Sequence, residues 1–351
     1  MSDLFQDQKF MAQARDLLIA TDSFATNNVR LGLGGPFGAS LHIYNTRTSE
    51  FTLVGSLCAN AVLSTGLAGA HAEDQAMSPQ QVTDLKAKLS AMASDIDGLY
   101  VLMSSSGESC PSCHAKEQIL ARDLVENGLL LPDRFIVTFG ATYEDTASVA
   151  GFHDLPYFLD IQKPRGEGAI ALESVKFGNV PNGYGLEFED ARTPLAILIS
   201  EFGVFTGQDL RSPGNLFGDA NLNAIFSANR ELKKLGSEAP WDVGMGKSGA
   251  DNKSVLYTTD TDIGPLVYST VQWANVGKIV SVTGTICSQP EACGIDDATF
   301  YQVIGNPEYK HPQSSLSVIR LEPFPNKAQH EWKNRVRQMG DGILYNGAQL
   351  A

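Results

Sequence analysis

The chain has 351 residues, 43% of them apolar and 19% charged, which is the composition of a folded globular protein and excludes a disordered or fibrous chain. Lys and Arg total 26 against 40 Asp and Glu, a formal net charge of −14, which argues against nucleic-acid or anionic-membrane partners because both require a basic surface. No stretch of about 18 apolar residues is present, so no transmembrane helix is expected, and the length predicts about two domains.

The first element is a helix, since Phe10, Ala14, Leu17 and Leu18 recur at helical spacing between Gln8 and Asn27. Gly32-Leu33-Gly34-Gly35-Pro36 is a turn cluster, and Phe37 to Tyr44 has a strand pattern with Phe51 to Leu57 as its hairpin partner. A helix is predicted from His71 to about Met77. Leu99–Met103 and Phe135–Phe139 are short apolar runs suited to buried strands, with a helix from His114 to Leu124 between them. This order predicts a three-layer α/β fold with a crossover and a parallel strand pair.

The second half restates this order. Leu195–Ile199 and Phe202–Thr206 repeat the hairpin, and Asp219-Ala220-Asn221 opens a helix where His71-Ala72-Glu73 opens its counterpart. Val255–Thr258, Gly264–Val267 and Lys278–Val282 follow in the positions of Gly98–Val101, Cys110–Cys113 and the Phe135 strand. Gly294-Ile295-Asp296-Asp297 restates Gly151-Phe152-His153-Asp154. Six matches in one order indicate an internal duplication. The junction falls in the Gly178–Gly183 stretch, giving domains 1–180 and 181–351. The two copies are expected to form an intrachain pseudo-dimer.

Five cysteines are an odd number, and they are not spaced as a disulfide framework. The N-terminus MSDLFQDQKF lacks the basic start and apolar run of a signal peptide, so a reduced, cytoplasmic protein is expected. The chemistry concentrates in His71-Ala72-Glu73 and, 39 residues beyond His71, Cys110-Pro111-Ser112-Cys113. One imidazole and two thiolates leave the fourth tetrahedral position of a zinc ion open, as catalytic rather than structural sites do. Such an ion lowers the pKa of its water toward about 7, and Glu73 stands two residues from a ligand, placed to move a proton. Taken alone, the Cys pair also suits a redox dithiol or two buried thiols. Cys58, Cys287 and Cys293 have no partners at ligand spacing.

Gly34-Gly35-Pro36-Phe37-Gly38-Ala39, Asn60, His71-Ala72-Glu73, Glu108-Ser109-Cys110-Pro111-Ser112-Cys113 and Ala150–Asp154 together resemble the guanine deaminase branch of the cytidine deaminase-like superfamily. Tyr157–Pro164 extends the likeness, which runs from about residue 10 to 165 and more faintly through the second half. The resemblance implies zinc ligands His71, Cys110 and Cys113, with Glu73 as general acid/base. It implies substrate contacts from Asn60, Asp154 and Phe37, and one Zn2+ per chain. The expected activity is hydrolytic deamination of a small aminated heterocycle, a purine base such as guanine. The alternatives are another nucleobase or nucleoside, or a non-catalytic zinc-binding module.

The chain departs from the family pattern where Ser109 replaces a proline and where Leu67-Ala68-Gly69 replaces a more polar approach to His71. It also carries an insertion around Ser78–Ser94, and has Ile119 and Leu120 where pocket aromatics are expected. In the second copy Asp219, Asn221, Gly264 and Val267 stand at the four catalytic positions, so that copy is expected to be inert toward metal. The resemblance also implies that a partner subunit and a C-terminal tail wall the site. Here the fused copy is expected to serve as that partner, with the Gln329–Gln338 helix or the tail containing Tyr345 near the first site. No nucleic acid or membrane partner is expected, and further homo-oligomers are compatible with the sequence.

Overall fold

A computed structural model of the chain describes residues 2–151, 171–174, 195–247, 249–259, 263–282, 316–321 and 324–339. The elements of the first half are α1 (Ser2–Gln6), α2 (Gln8–Arg30), β1 (Gly38–Asn45), β2 (Glu50–Ala59), α3 (Val62–Thr65), α4 (Ala72–Ala76) and α5 (Pro79–Ala91). They continue with β3 (Leu99–Gly107), α6 (Pro111–Glu126), β4 (Phe135–Ala141) and α7 (Tyr143–Ala150). Then come β5 (Ala171–Ser174), β6 (Leu195–Ser200), β7 (Gly203–Gln208), α8 (Ala220–Lys234), β8 (Val255–Thr258), α9 (Pro265–Trp273), β9 (Lys278–Ser281), β10 (Leu316–Arg320) and α10 (Lys327–Met339).

The protein is mixed α/β, with two five-stranded sheets ordered β10-β4-β3-β1-β2 and β5-β9-β8-β6-β7. In the first, β1 runs antiparallel to β2 and β3, while β3, β4 and β10 are parallel. In the second, β6 runs antiparallel to β7 and β8, while β8, β9 and β5 are parallel. Order and sense are therefore identical in the two sheets. Each sheet also takes its outermost parallel strand from the other half of the chain. A cut at residue 180 would leave β5 on one side and its sheet on the other, and the same holds for β10.

Side-chain alternation sorts the first sheet into layers. Tyr44, Tyr100, Leu102 and Ile136 point to the α2 face, where they meet Phe10, Ala14 and Leu18. Leu41, Ile43, Val101, Met103 and Val137 point to the other face and meet Ala72, Ala76, Leu85, Leu120 and Leu124. Helix α2 begins at Asp7, whose carboxylate accepts from the N–H groups of Lys9 and Phe10. Asp22 is a buried charge inside its apolar stripe. It accepts from the N–H groups of Lys327 and Ala328 at 3.1 and 3.2 Å, so a carboxylate of α2 caps α10. The Ser78–Ser94 segment, expected to be an insertion, is mostly the helix α5, with Pro79 at its first turn and Val82, Leu85 and Leu89 buried at helical spacing.

The two halves share one apolar core. Cys110, Cys113, Ala115 and Val62 belong to the same buried cluster as Leu222, Ile225, Leu266, Val271 and Trp273. Helix α6 packs on α9, and the Ser112 and Thr270 hydroxyls hydrogen-bond across the contact at 3.0 Å. Among the described residues no helix is long and apolar enough to cross a membrane. Asp154, Cys287, Cys293, the 178–183 junction and the tail containing Tyr345 lie outside the described residues.

Candidate metal centre

The site forms where two helix N-termini converge. His71 is the N-cap of α4 and holds an extended backbone, φ −72° and ψ 166°, yet its side chain makes no capping bond. The imidazole is turned toward the Cys pair instead. Cys110 is the N-cap of α6, with Pro111 in the first turn, and its Sγ accepts from the N–H of Cys113 at 3.5 Å. His71 Nδ1 lies 3.3 Å from Cys110 Sγ and 3.4 Å from Cys113 Sγ, and the three ligand atoms all fall within 4.8 Å of one another. A tetrahedral zinc with ordinary Zn–S and Zn–N bonds separates sulfur from nitrogen by about 3.6 Å, so the group has the dimensions to hold such an ion. His71 Nε2 is buried with no hydrogen-bond partner among the described residues, which leaves Nδ1 as the nitrogen facing the sulfurs.

The electrostatics favour an anionic thiol. Burial opposes ionisation of both cysteines, but the Cys113 hydrogen bond and the adjacent His71 hold Cys110 well below the usual thiol range. Burial and the neighbouring Cys110 push Cys113 well above it. Burial lowers the His71 pKa, but the charge and hydrogen bond of Cys110 outweigh it and carry the imidazole above its ordinary value. Helix N-termini reinforce the thiolate through their unpaired N–H groups. Glu73 lies in the first turn of α4, buried, and its Oε1 accepts from the Ser105 hydroxyl of β3 at 2.7 Å. Burial dominates there and pushes the Glu73 carboxyl up to about 7 against the opposing Ser105 bond.

A small cleft, with about 280 Å³ of empty space that includes open solvent, lies beside these groups. Phe37, Asn60, Glu108, Tyr143 and Trp273 line it together with His71, Glu73 and Cys110. The Gly34-Gly35 turn places Asn60. A Cβ on Gly34 would sit 1.6 Å from the Asn60 carbonyl oxygen, so only glycine fits this close approach. Asn60 Oδ1 accepts from the N–H groups of Gly35 and Val62 at 3.3 and 3.2 Å, which fixes the amide with its NH2 as the donor end. Phe37 is tied to the same residue, its carbonyl accepting from the N–H of Asn60. Glu108 accepts from the Tyr143 N–H at 3.0 Å at the start of α7.

The second half supplies part of this wall. Trp273, the last residue of α9, stands edge-to-face against the His71 ring, with centroids 4.8 Å apart and planes at 89°. The loop before His71 also rests on the second half. The Ala68 N–H donates to Asn229 Oδ1 at 3.1 Å, and a Cβ on Gly69 would lie 2.9 Å from the Phe226 ring. This contact accounts for the small, apolar Leu67-Ala68-Gly69 approach. Helix α10 packs on α2 and α7, and Trp332 joins the apolar cluster that holds Tyr143.

Among the described residues, the corresponding corner of the second half holds no His/Cys group. Asp219 caps α8, accepting from the N–H groups of Asn221 and Leu222 at 2.8 and 3.3 Å. Gly264 caps α9 and Val267 is buried in its first turn.

The structure thus brings His71, Glu73, Cys110, Asn60 and Phe37 to one cleft, with Cys113 grouped with His71 and Cys110 beside it. Sequence reasoning gave no role to Glu108, Tyr143, Ser105 or Trp273. Trp273 had a signal: when Gly264 is laid on Cys110, Trp273 falls on Ile119, the position at which an aromatic was missing. Compared with known proteins, the chain matches no family model and no curated protein sequence. The geometry carries the functional argument.

Proposed function

We propose that the chain is a zinc-dependent hydrolase that deaminates a small aminated nitrogen heterocycle, a purine base such as guanine being the first candidate, in the cytidine deaminase-like fold. One observation carries this reading: a buried carboxyl, held by the Ser105 hydroxyl, shares a cleft with a His/Cys/Cys group. Structural zinc sites close with four protein ligands, whereas three ligands beside a cleft suit catalysis. A zinc ion held by His71, Cys110 and Cys113 supplies Lewis acidity that makes water acidic near neutral pH.

The chain's own groups do the rest. Glu73, fixed by Ser105, takes a proton from the attacking water and gives it to the ring nitrogen beside the amine-bearing carbon. It then transfers the remaining water proton to the departing amine, so that the C–N bond is exchanged for C=O and ammonia leaves. The Asn60 NH2 donates to an acceptor on the ring edge. Phe37, Tyr143 and Trp273 offer flat apolar walls, and Asp154 is the further contact implied by the family resemblance. The identical order and sense of the two sheets support a tandem duplication. The second copy then acts as an inert pseudo-dimer partner, with one zinc per chain.

Ammonia release from guanine, adenine, cytosine, their nucleosides and related aminated rings tests this, with Glu73→Ala as the blank. Release from at least one ring is expected, falling by roughly 10³-fold in the variant while zinc stays bound. Near-normal turnover by Glu73→Ala would remove the mechanism.

A further inference from the structure

A second buried carboxylate lies beneath the Cys pair and has no part in the chemistry above. Glu117 is fully buried in α6, and both of its oxygens are engaged. The Ser109 hydroxyl donates to Oε1 at 2.8 Å, and His114 Nδ1 pairs with Oε2 at 3.1 Å. Ser109 immediately precedes Cys110, and His114 immediately follows Cys113. One carboxylate therefore holds the side chains that flank the thiol-bearing turn on both sides. Ser109 and His114 are themselves 4% and 1% exposed, so the clamp is sealed from water.

Burying a carboxylate is costly unless its lone pairs are satisfied, and an apolar side chain would fill this space at lower cost. What the carboxylate adds is a fixed spacing. A proline at 109 would restrict the turn through its ring, whereas serine leaves it free to rotate unless its hydroxyl is held. Metal affinity depends on such supporting hydrogen bonds, and their loss typically costs about 10–100-fold.

We infer that Glu117 is a positioning residue of the metal centre, its carboxylate clamping Ser109 and His114 so that the two sulfurs are pre-set for the ion. This rests on the metal reading of His71, Cys110 and Cys113. The test measures zinc affinity of the full-length protein by competition with a colorimetric chelator, alongside thermal unfolding of the metal-free form. Glu117→Gln keeps the shape but cannot accept from both donors with equal strength, and Ser109→Ala opens one arm only. Zinc binding is expected to weaken at least ten-fold in Glu117→Gln and less in Ser109→Ala, with the metal-free Tm of Ser109→Ala close to that of the parent. Cobalt-loaded Glu117→Gln should also show a shifted thiolate-to-metal absorption band. If both variants bind zinc within two-fold of the parent with an unshifted cobalt band, the clamp has no role in positioning and the inference fails alone. If the parent itself binds no zinc, the metal reading fails and takes the inference with it.

Discussion

The two halves build the equivalent corner of two sheets of the same order in opposite ways. In the first, the residues at the N-caps of α4 and α6 are His71 and Cys110, and the imidazole forgoes capping to face the sulfurs. In the second, Asp219 spends its carboxylate on the N–H groups of α8, and Gly264 offers no side chain. An N-cap side chain worth about 1 kcal/mol of helix stability is thus used at α8 and forgone at its counterpart α4. Helix α4 is five residues long and α8 fifteen, as expected if one corner serves a ligand and the other serves the fold.

The largest contrast to test is the response to acid. Residues 195–282 contain no histidine, whereas β1 carries His42, buried with Nε2 2.9 Å from the Ser40 hydroxyl. Burial pushes the His42 pKa down to about 4 from the ordinary 6.5. The unfolded chain therefore binds this proton first, and stability present above pH 6.5 is lost as pH falls toward 4, by roughly 3 kcal/mol. Glu73 works in the other direction. Its carboxyl, at about 7, is protonated in the native state before the unfolded one, so it returns stability as pH falls through 7 to its ordinary 4.5. The difference between the parent and His42→Leu isolates the first effect. The parent's advantage over His42→Leu should shrink by roughly 3 kcal/mol between pH 7 and pH 4 in urea unfolding. Parallel losses in both proteins would sink the assignment.

Much of this contrast was legible in the sequence. The α2 stripe, the Phe37 hairpin and the Asp219 helix carry strong periodicity, and the ligand trio is set by residue types that have few other reasons to recur at that spacing. Short strands with distant partners are another matter. Nothing in Leu316–Arg320 states that it pairs with β4, because a five-residue stretch with three apolar residues fits any open sheet edge. Helix α5 is legible in the spacing of Val82, Leu85 and Leu89, whereas the long His71-to-Cys110 separation marks the stretch only as an insertion and states nothing of its structure. Trp273 belongs to the cleft only through the packing of α6 on α9, a contact between distant parts of the chain that local pattern does not encode.

That residue gives the next smaller effect. If the inert half is a wall of the active cleft, Trp273→Ala should raise KM for the substrate about ten-fold, the equivalent of about 1.4 kcal/mol and of the size measured for aromatic contacts. Zinc content should stay at one per chain. Ile119→Ala, which changes the matching position of α6, should leave KM within two-fold. Equal changes from both substitutions would mean that α6 and α9 matter for packing alone.

The smallest effect separates cap from ligand. Asp219→Ala removes a side chain that accepts two N–H groups, so chemical unfolding of the metal-free protein should show a loss of about 1 kcal/mol, with zinc content and turnover unchanged. His71→Asn is its mirror image. Asparagine is a good N-cap, and His71 makes no capping bond to lose, so the metal-free variant should keep its stability within about 1 kcal/mol of the parent while zinc binding is abolished. The two substitutions therefore move opposite readouts at equivalent positions. If Asp219→Ala lowers zinc content, or His71→Asn retains it, the division between a corner that holds metal and a corner that holds its helix is wrong, because both positions would then be serving the same end.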